Sequence, residues 1–161
     1  MGRLLKTNCL QPGQGRSIWV TGDLYTLKTT GAETGGAFAM IEAVVPPGGG
    51  PPPHRHTRED EAFYVLEGEL VFHADGQSFT AGPGSWITLA RGSVHRFRNE
   101  SRATARMLIC VTPAGLDDFF LEIGRPAVEG EEGPFPTTPE EIRKLLATAP
   151  KYGLEIHAPD H

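Results

Sequence analysis

The chain has 161 residues, with 15 Lys and Arg against 20 Asp and Glu and a formal net charge of -5. That length suits one domain with room for a real core, and the negative balance gives no reason to expect nucleic acid or an anionic membrane as partner. A small, neutral or weakly charged molecule is the expected ligand. Cys9 and Cys110 stand far apart, outside any CxxC pairing, and read as free thiols. No leader-like apolar run opens the sequence and no stretch approaches the ~20 apolar residues of a membrane span, so a cytoplasmic location is expected.

From Ser17 to Pro113, short runs rich in β-branched and aromatic residues alternate with Gly, Pro, Asn and Asp, the rhythm of an all-β fold. Strands are expected at 17–21, 23–28, 36–45, 53–56, 60–67, 69–75, 77–80, 85–89, 94–99 and 105–112, enough for a sandwich or barrel. Beyond Pro113 the pattern changes. Leu116, Phe119, Phe120 and Ile123 recur at helical spacing within 115–124 and are followed by an acidic, Pro-rich connector. Thr138 and Glu141 form a capping box with Pro139 at the first helical position, which predicts a helix over 139–149 with Ile142, Leu145 and Leu146 on one stripe. A final strand is expected within 151–159.

The segment GGGPPPHRHTREDEAFYVLEGEL (48–70) carries the chemistry. In a strand, residues two apart share a face, so His54 and His56 aim into one volume while Arg55 points away. Among the acids that follow, Glu61 shares its face with Phe63 and Val65, the expected interior side. A buried carboxylate left unpaired costs several kcal/mol, about enough to call for a cation beside it. His95, on the same face as Phe97 and Asn99, supplies a third imidazole. Three imidazoles and one carboxylate suit one divalent transition metal ion (Fe, Mn, Ni, Co, Cu or Zn) rather than Ca or Mg. His73 and His157 read as ordinary histidines, Trp19 and Trp86 as packing residues, and Arg58 as a loop residue within reach of Asp60 or of an anionic substrate.

The spacing Gly48, five residues, His54, one residue, His56, four residues, Glu61, six residues, Gly68 resembles the first motif of the cupin superfamily. Gly84, then Gly92, two residues, His95, three residues and Asn99 resembles the second, except that Ala90 stands where the family usually has proline. The fifteen residues between Gly68 and Gly84 match the short inter-motif spacing of single-domain cupins. The tail GLDDFFLEIGRP is similar to that of quercetin-dioxygenase-like members. The resemblance implies a single domain over 1–161: a cupin β-barrel (double-stranded β-helix or jelly roll) at 17–113, with a helical tail and final strand over 114–161 packed on it.

The function expected from this resemblance is a metal-dependent, dioxygenase-like enzyme acting on a small aromatic or enolisable substrate. His54, His56, Glu61 and His95 would hold the ion, and Glu61 would double as catalytic base. Phe38, Met40, Phe63, Val65, Phe97, Met107 and Ile109 are the expected pocket lining. A metal-dependent isomerase or lyase that needs no oxygen would use the same four ligands. A non-catalytic small-ligand binder is the remaining alternative, and the single strong C-terminal helix is too little for a helix-turn-helix. Open barrel edges or exchanged terminal strands make a homodimer the expected assembly.

Overall fold

A computed structural model describes residues 5–157. Ten strands occupy the β-rich stretch: β1 (Arg16–Val20), β2 (Asp23–Thr29), β3 (Ala39–Val45), β4 (His54–His56), β5 (Asp60–Glu67), β6 (Leu70–Ala74), β7 (Gln77–Ala81), β8 (Trp86–Leu89), β9 (Val94–Arg98) and β10 (Ala105–Thr112). The tail adds α2 (Leu116–Ile123), β11 (Arg125–Pro126), α3 (Pro139–Thr148), a 3-10 turn (Ala149–Tyr152) and β12 (Leu154–Ile156), and a four-residue helix α1 (Gly31–Thr34) precedes β3. The strands form two antiparallel sheets, ordered β11-β1-β2-β3-β10-β5-β8 and β12-β4-β9-β6-β7.

The all-β expectation holds because alternation is strict: in β3, Ala39, Ile41, Ala43 and Val45 are buried while Met40, Glu42 and Val44 lie on the other face. Residues facing inward from both sheets, among them Ile41, Phe63, Val65, Leu70, Phe72 and Met107, make one continuous core. The tail adds Leu116, Phe119, Ile123 and Leu145 to it.

Gly50 explains part of the glycine run before the paired histidines. Its φ is 124°, and a Cβ there would lie 2.1 Å from the Phe97 carbonyl oxygen. Only glycine lets the backbone press against β9 at this point, and Pro51–Pro53 then lead stiffly into β4. The Gly49 carbonyl accepts from Asn99 N–H at 3.0 Å, and Gly48 N–H donates to the Asn99 carbonyl at 2.8 Å.

Several expectations need correction. The strand foreseen at 36–45 starts only at Ala39, because Glu33 accepts from Thr30 N–H at 2.7 Å and closes α1, which ends on Gly35 in left-handed backbone. β11 was not foreseen, whereas the final strand expected within 151–159 is β12, preceded by the 3-10 turn that takes in Lys151 and Tyr152; Ala158 and Pro159 lie outside the described residues. Trp19 packs as expected, edge-on to Phe135, but Trp86 lies on edge strand β8 and is 62% exposed. Only Leu145 of the α3 stripe is buried, since Ile142 and Leu146 face outward. Arg58 donates to the Lys151 carbonyl, while Asp60 is paired with Arg91. Cys9 and Cys110 are free. Among the described residues no helix is long and apolar enough to cross a membrane.

Candidate metal centre

Sheet register brings the four expected residues together. β4 and β9 are neighbours with His54 opposite His95, and β5 belongs to the facing sheet, where Glu61 lies opposite Val111 and Leu89. One ligand atom from each of His54, His56, Glu61 and His95 falls within 4.8 Å of all the others, and all four residues are buried. Glu61 Oε2 lies 2.7 Å from His95 Nε2 and 3.2 Å from His56 Nε2.

The outer nitrogens are held as well. His54 Nδ1 lies 2.9 Å from the Pro52 carbonyl oxygen and His95 Nδ1 lies 3.1 Å from that of Ser93. A ring whose Nδ1–H donates to a carbonyl turns its Nε2 lone pair inward, which is the orientation a metal ligand needs. The Nε2 atoms of His56 and His95 converge on the Glu61 carboxylate.

The electrostatics follow from crowding. Burial, together with His95 and His56, pushes the His54 pKa down to about 3, so this ring is neutral. Burial also works against a charge on His56, but the Glu61 carboxylate, assisted by Glu59, overcomes it and raises the pKa to about 9. Burial tends to raise Glu61, yet His56 and His95 outweigh it and hold the carboxyl well below its usual range. The ionised carboxylate thus stabilises positive charge among the rings. His56 Nε2 is buried and has no hydrogen-bond partner despite its closeness to Glu61. A mixed N/O donor set with such an orphaned nitrogen fits one divalent transition metal ion, the group expected from the sequence.

The four residues form one wall of a small cavity of ≈ 50 Å³. Of the expected lining, Phe63, Phe97 and Ile109 border it; Phe38, Met40, Val65 and Met107 do not. Val65 and Met107 face inward and lie opposite one another, two positions from Phe63 and Ile109 on the side away from the cluster, in fully packed core. Met40 lies on the outward face of β3, and Phe38 precedes the strand, its backbone bonded to the Thr34 side chain.

The remaining walls were not foreseen. Leu116, Phe119, Phe120 and Ile123 of α2, Leu145 of α3, and Leu154 and Ile156 of β12 close the cavity from the tail. Their helical spacing was legible, but not the object their apolar face covers. Tyr25 also lines the cavity, edge-on to Phe120 with centroids 4.8 Å apart. Burial, with Asp23 and Glu61 nearby, pushes its pKa well up, so its hydroxyl stays protonated.

The family model described as "Cupin domain" matches residues 41–112, a span containing all four clustered residues. A quercetin 2,3-dioxygenase from Bacillus subtilis (strain 168) is 28% identical over 152 residues, 93% of this chain and 44% of that protein, so the chain spans less than half the length of this relative. A protein named polyketide synthase CurC from Streptomyces cyaneus is 28% identical over 143 residues, covering 86% of this chain and 89% of that one. Among solved structures, an oxalate oxidase superposes with a TM-score of 0.51 at 25% identity, over 59% of this chain and 54% of the other.

Proposed function

This chain belongs to the cupin superfamily, and from the chemistry of its cavity we propose that it is a metal-dependent enzyme of dioxygenase type acting on a small, uncharged aromatic or enolisable molecule. One observation carries the choice of substrate class. Apart from the histidine and glutamate cluster, Thr21 and the Tyr25 hydroxyl, the cavity wall is apolar and rich in aromatic rings, and among the described residues no Lys or Arg lines it. A dianion such as oxalate, or a phosphorylated sugar, needs fixed positive charge on the wall in addition to an ion. An aromatic ring needs what Phe63, Phe97, Phe119 and Phe120 offer: flat apolar surface and exclusion of water. The names of the two curated relatives, a quercetin dioxygenase and a polyketide synthase, are compatible with such substrates.

His54, His56, His95 and Glu61 would hold the metal, which when bound supplies Lewis acidity toward a substrate oxygen and, for the redox-active ions, a route for electrons. Glu61 is suited to a second task. It lines the cavity, and an ionised carboxylate there is placed to accept the proton of a substrate hydroxyl or enol. Tyr25, held protonated, is a donor toward a substrate oxygen on the same wall.

The test begins with elemental analysis of protein purified without a chelating tag, followed by oxygen uptake over flavonols, β-diketones and phenols. Uptake with at least one of these is expected, and Glu61→Gln, nearly isosteric but unable to take the proton, should lower turnover by ~10²-fold or more while the substrate still binds. Turnover that persists without oxygen would instead establish an isomerase or lyase. A ligand that binds and is recovered unchanged under either condition would make the chain a binding module.

A further inference from the structure

The three imidazoles of the cluster are not held alike. His54 and His95 each direct Nδ1 to the carbonyl of the residue two places back, Pro52 and Ser93. For His56 the residue two places back is His54, whose backbone is paired with Ile156 on one side and His95 on the other. In place of a carbonyl, His56 Nδ1 faces a carboxylate: Glu59 Oε2 at 3.4 Å. Glu59 is only 3% exposed, and neither its Oε2 nor His56 Nδ1 has a partner at hydrogen-bond geometry. A buried carboxylate oxygen without a partner is costly unless a cation or strong donor serves it. The donor within reach is the far side of a ring whose other nitrogen faces Glu61.

We propose that Glu59 is a positioning residue for the metal centre: it fixes His56 in the Nδ1–H tautomer, turns Nε2 toward the ion and strengthens that nitrogen as a donor. This rests on the reading of the same cluster as a metal site. Glu59 does not itself belong to the group of converging ligand atoms. A carboxylate behind a ligating imidazole makes the ring more electron-rich than a carbonyl does, so His56 becomes the strongest nitrogen donor of the three. With Glu61 it also brings two negative charges to the site, matching a divalent ion. The loop that carries it is pinned from the tail: Thr57 donates its N–H and hydroxyl to the Gly153 carbonyl, and Arg58 donates to that of Lys151.

The experiment measures Zn²⁺ affinity of the full chain by chelator competition, together with the His56 tautomer by long-range ¹⁵N NMR in the zinc-loaded protein. Wild type should bind zinc with His56 protonated at Nδ1. Glu59→Ala should weaken affinity about 10- to 100-fold, the usual cost of removing such an outer partner, and lose the defined Nδ1–H signal. Glu59→Gln keeps an acceptor of the same shape without the charge, so it should keep the tautomer and fall between the two. Should the Ala variant fold poorly, the Gln variant decides. Asp60→Asn, which removes an exposed acid paired with Arg91, should leave affinity unchanged. Folded Glu59 variants with wild-type affinity, His56 bound through Nδ1, or an equal loss in Asp60→Asn would each overturn the proposal. Absence of zinc binding by the wild type would overturn the metal site itself, a distinct result.

Discussion

Two halves of one barrel interior are built from the same strands and have opposite chemistry. At the cavity end, the inward positions are Glu61 on β5 and His95 on β9. Two residues further along those strands stand Phe63 and Phe97, and two further still are Val65 and, just past the end of β9, Asn99, both fully buried. β10 runs the other way, so Ile109 lies opposite Phe63 and Met107 opposite Val65. Each strand thus passes from metal-binding chemistry through aromatic rings to closed packing within five residues. Phe63, Phe72 and Phe97, with centroids 5.2 to 6.1 Å apart, form the floor between the two. The two-residue period of a strand decides which face a side chain takes, but depth along the strand decides whether it meets a ligand or its neighbours.

The largest effect should come from breaking each half separately. His95→Ala removes one converging imidazole and should strip most of the bound metal, while the metal-free protein unfolds at nearly the wild-type denaturant concentration. Phe72→Ala opens a cavity at a fully buried site and should cost about 3–5 kcal/mol of stability while metal affinity, measured well below the unfolding transition, stays at the wild-type level. Elemental analysis and denaturant unfolding on the same two samples check both. If Phe72→Ala loses metal while still folded, the aromatic floor supports the ligands and the halves are not separable.

This contrast also explains what the sequence discloses. His54, His56, Glu61 and His95 are legible because their types and spacing leave little else that a buried set could do, and strand parity aims them together. Val65 and Met107 take the expected inward face but lie one layer below the cavity they were expected to line, since no period records depth. Met40 failed through parity: small Ala39 and Ala43 take the interior beside Ile41, and the larger Met40 points out. Trp86 is apolar enough to suggest a core, yet its strand is the sheet edge, a fact of topology. The tail helices were legible as helices from Thr138, Glu141 and the apolar spacing. That they close the metal cavity follows from where β12 pairs, beside β4.

A smaller effect concerns Asp23, which lies against the Gly49–Gly50 backbone on the path from buried Val45 to the prolines of the cavity wall. It is 1% exposed, and its Oδ1 has no partner. Burial pushes its pKa from 3.8 up to about 8, although Gly50 N–H donates to it. Between these values the folded state keeps a proton that the unfolded state has lost, so stability falls as pH rises through that window. Asp23→Asn cannot titrate. Denaturant unfolding from pH 4 to 8 should show the wild type losing on the order of a few kcal/mol relative to the variant, with the two closest at pH 4. Parallel curves would mean that the carboxylate is solvated or paired at neutral pH.

The smallest effect concerns how the cavity opens. Its free space of ≈ 50 Å³ is tight for an aromatic substrate, and α2, α3 and β12 form the wall that a ligand would displace to gain room. One fastening is visible on its outer surface. The Glu122 carboxylate on α2 accepts from Lys151 Nζ at 2.7 Å and from the Tyr152 hydroxyl, tying the helix to the turn that leads into β12. Phe119 packs on the Tyr152 ring beneath, with centroids 5.5 Å apart. Tyr152→Phe keeps that ring contact and deletes one of the two hydrogen bonds. If this fastening opposes opening, the association rate of an aromatic ligand, followed by stopped-flow absorbance, should rise about two- to fivefold, the factor set by one modest hydrogen bond. Metal content should not change, because the substitution leaves every residue behind the imidazoles in place. An unchanged association rate in a variant of unchanged metal content would mean that the ligand enters elsewhere, by the Pro51 and Pro52 side of the cavity.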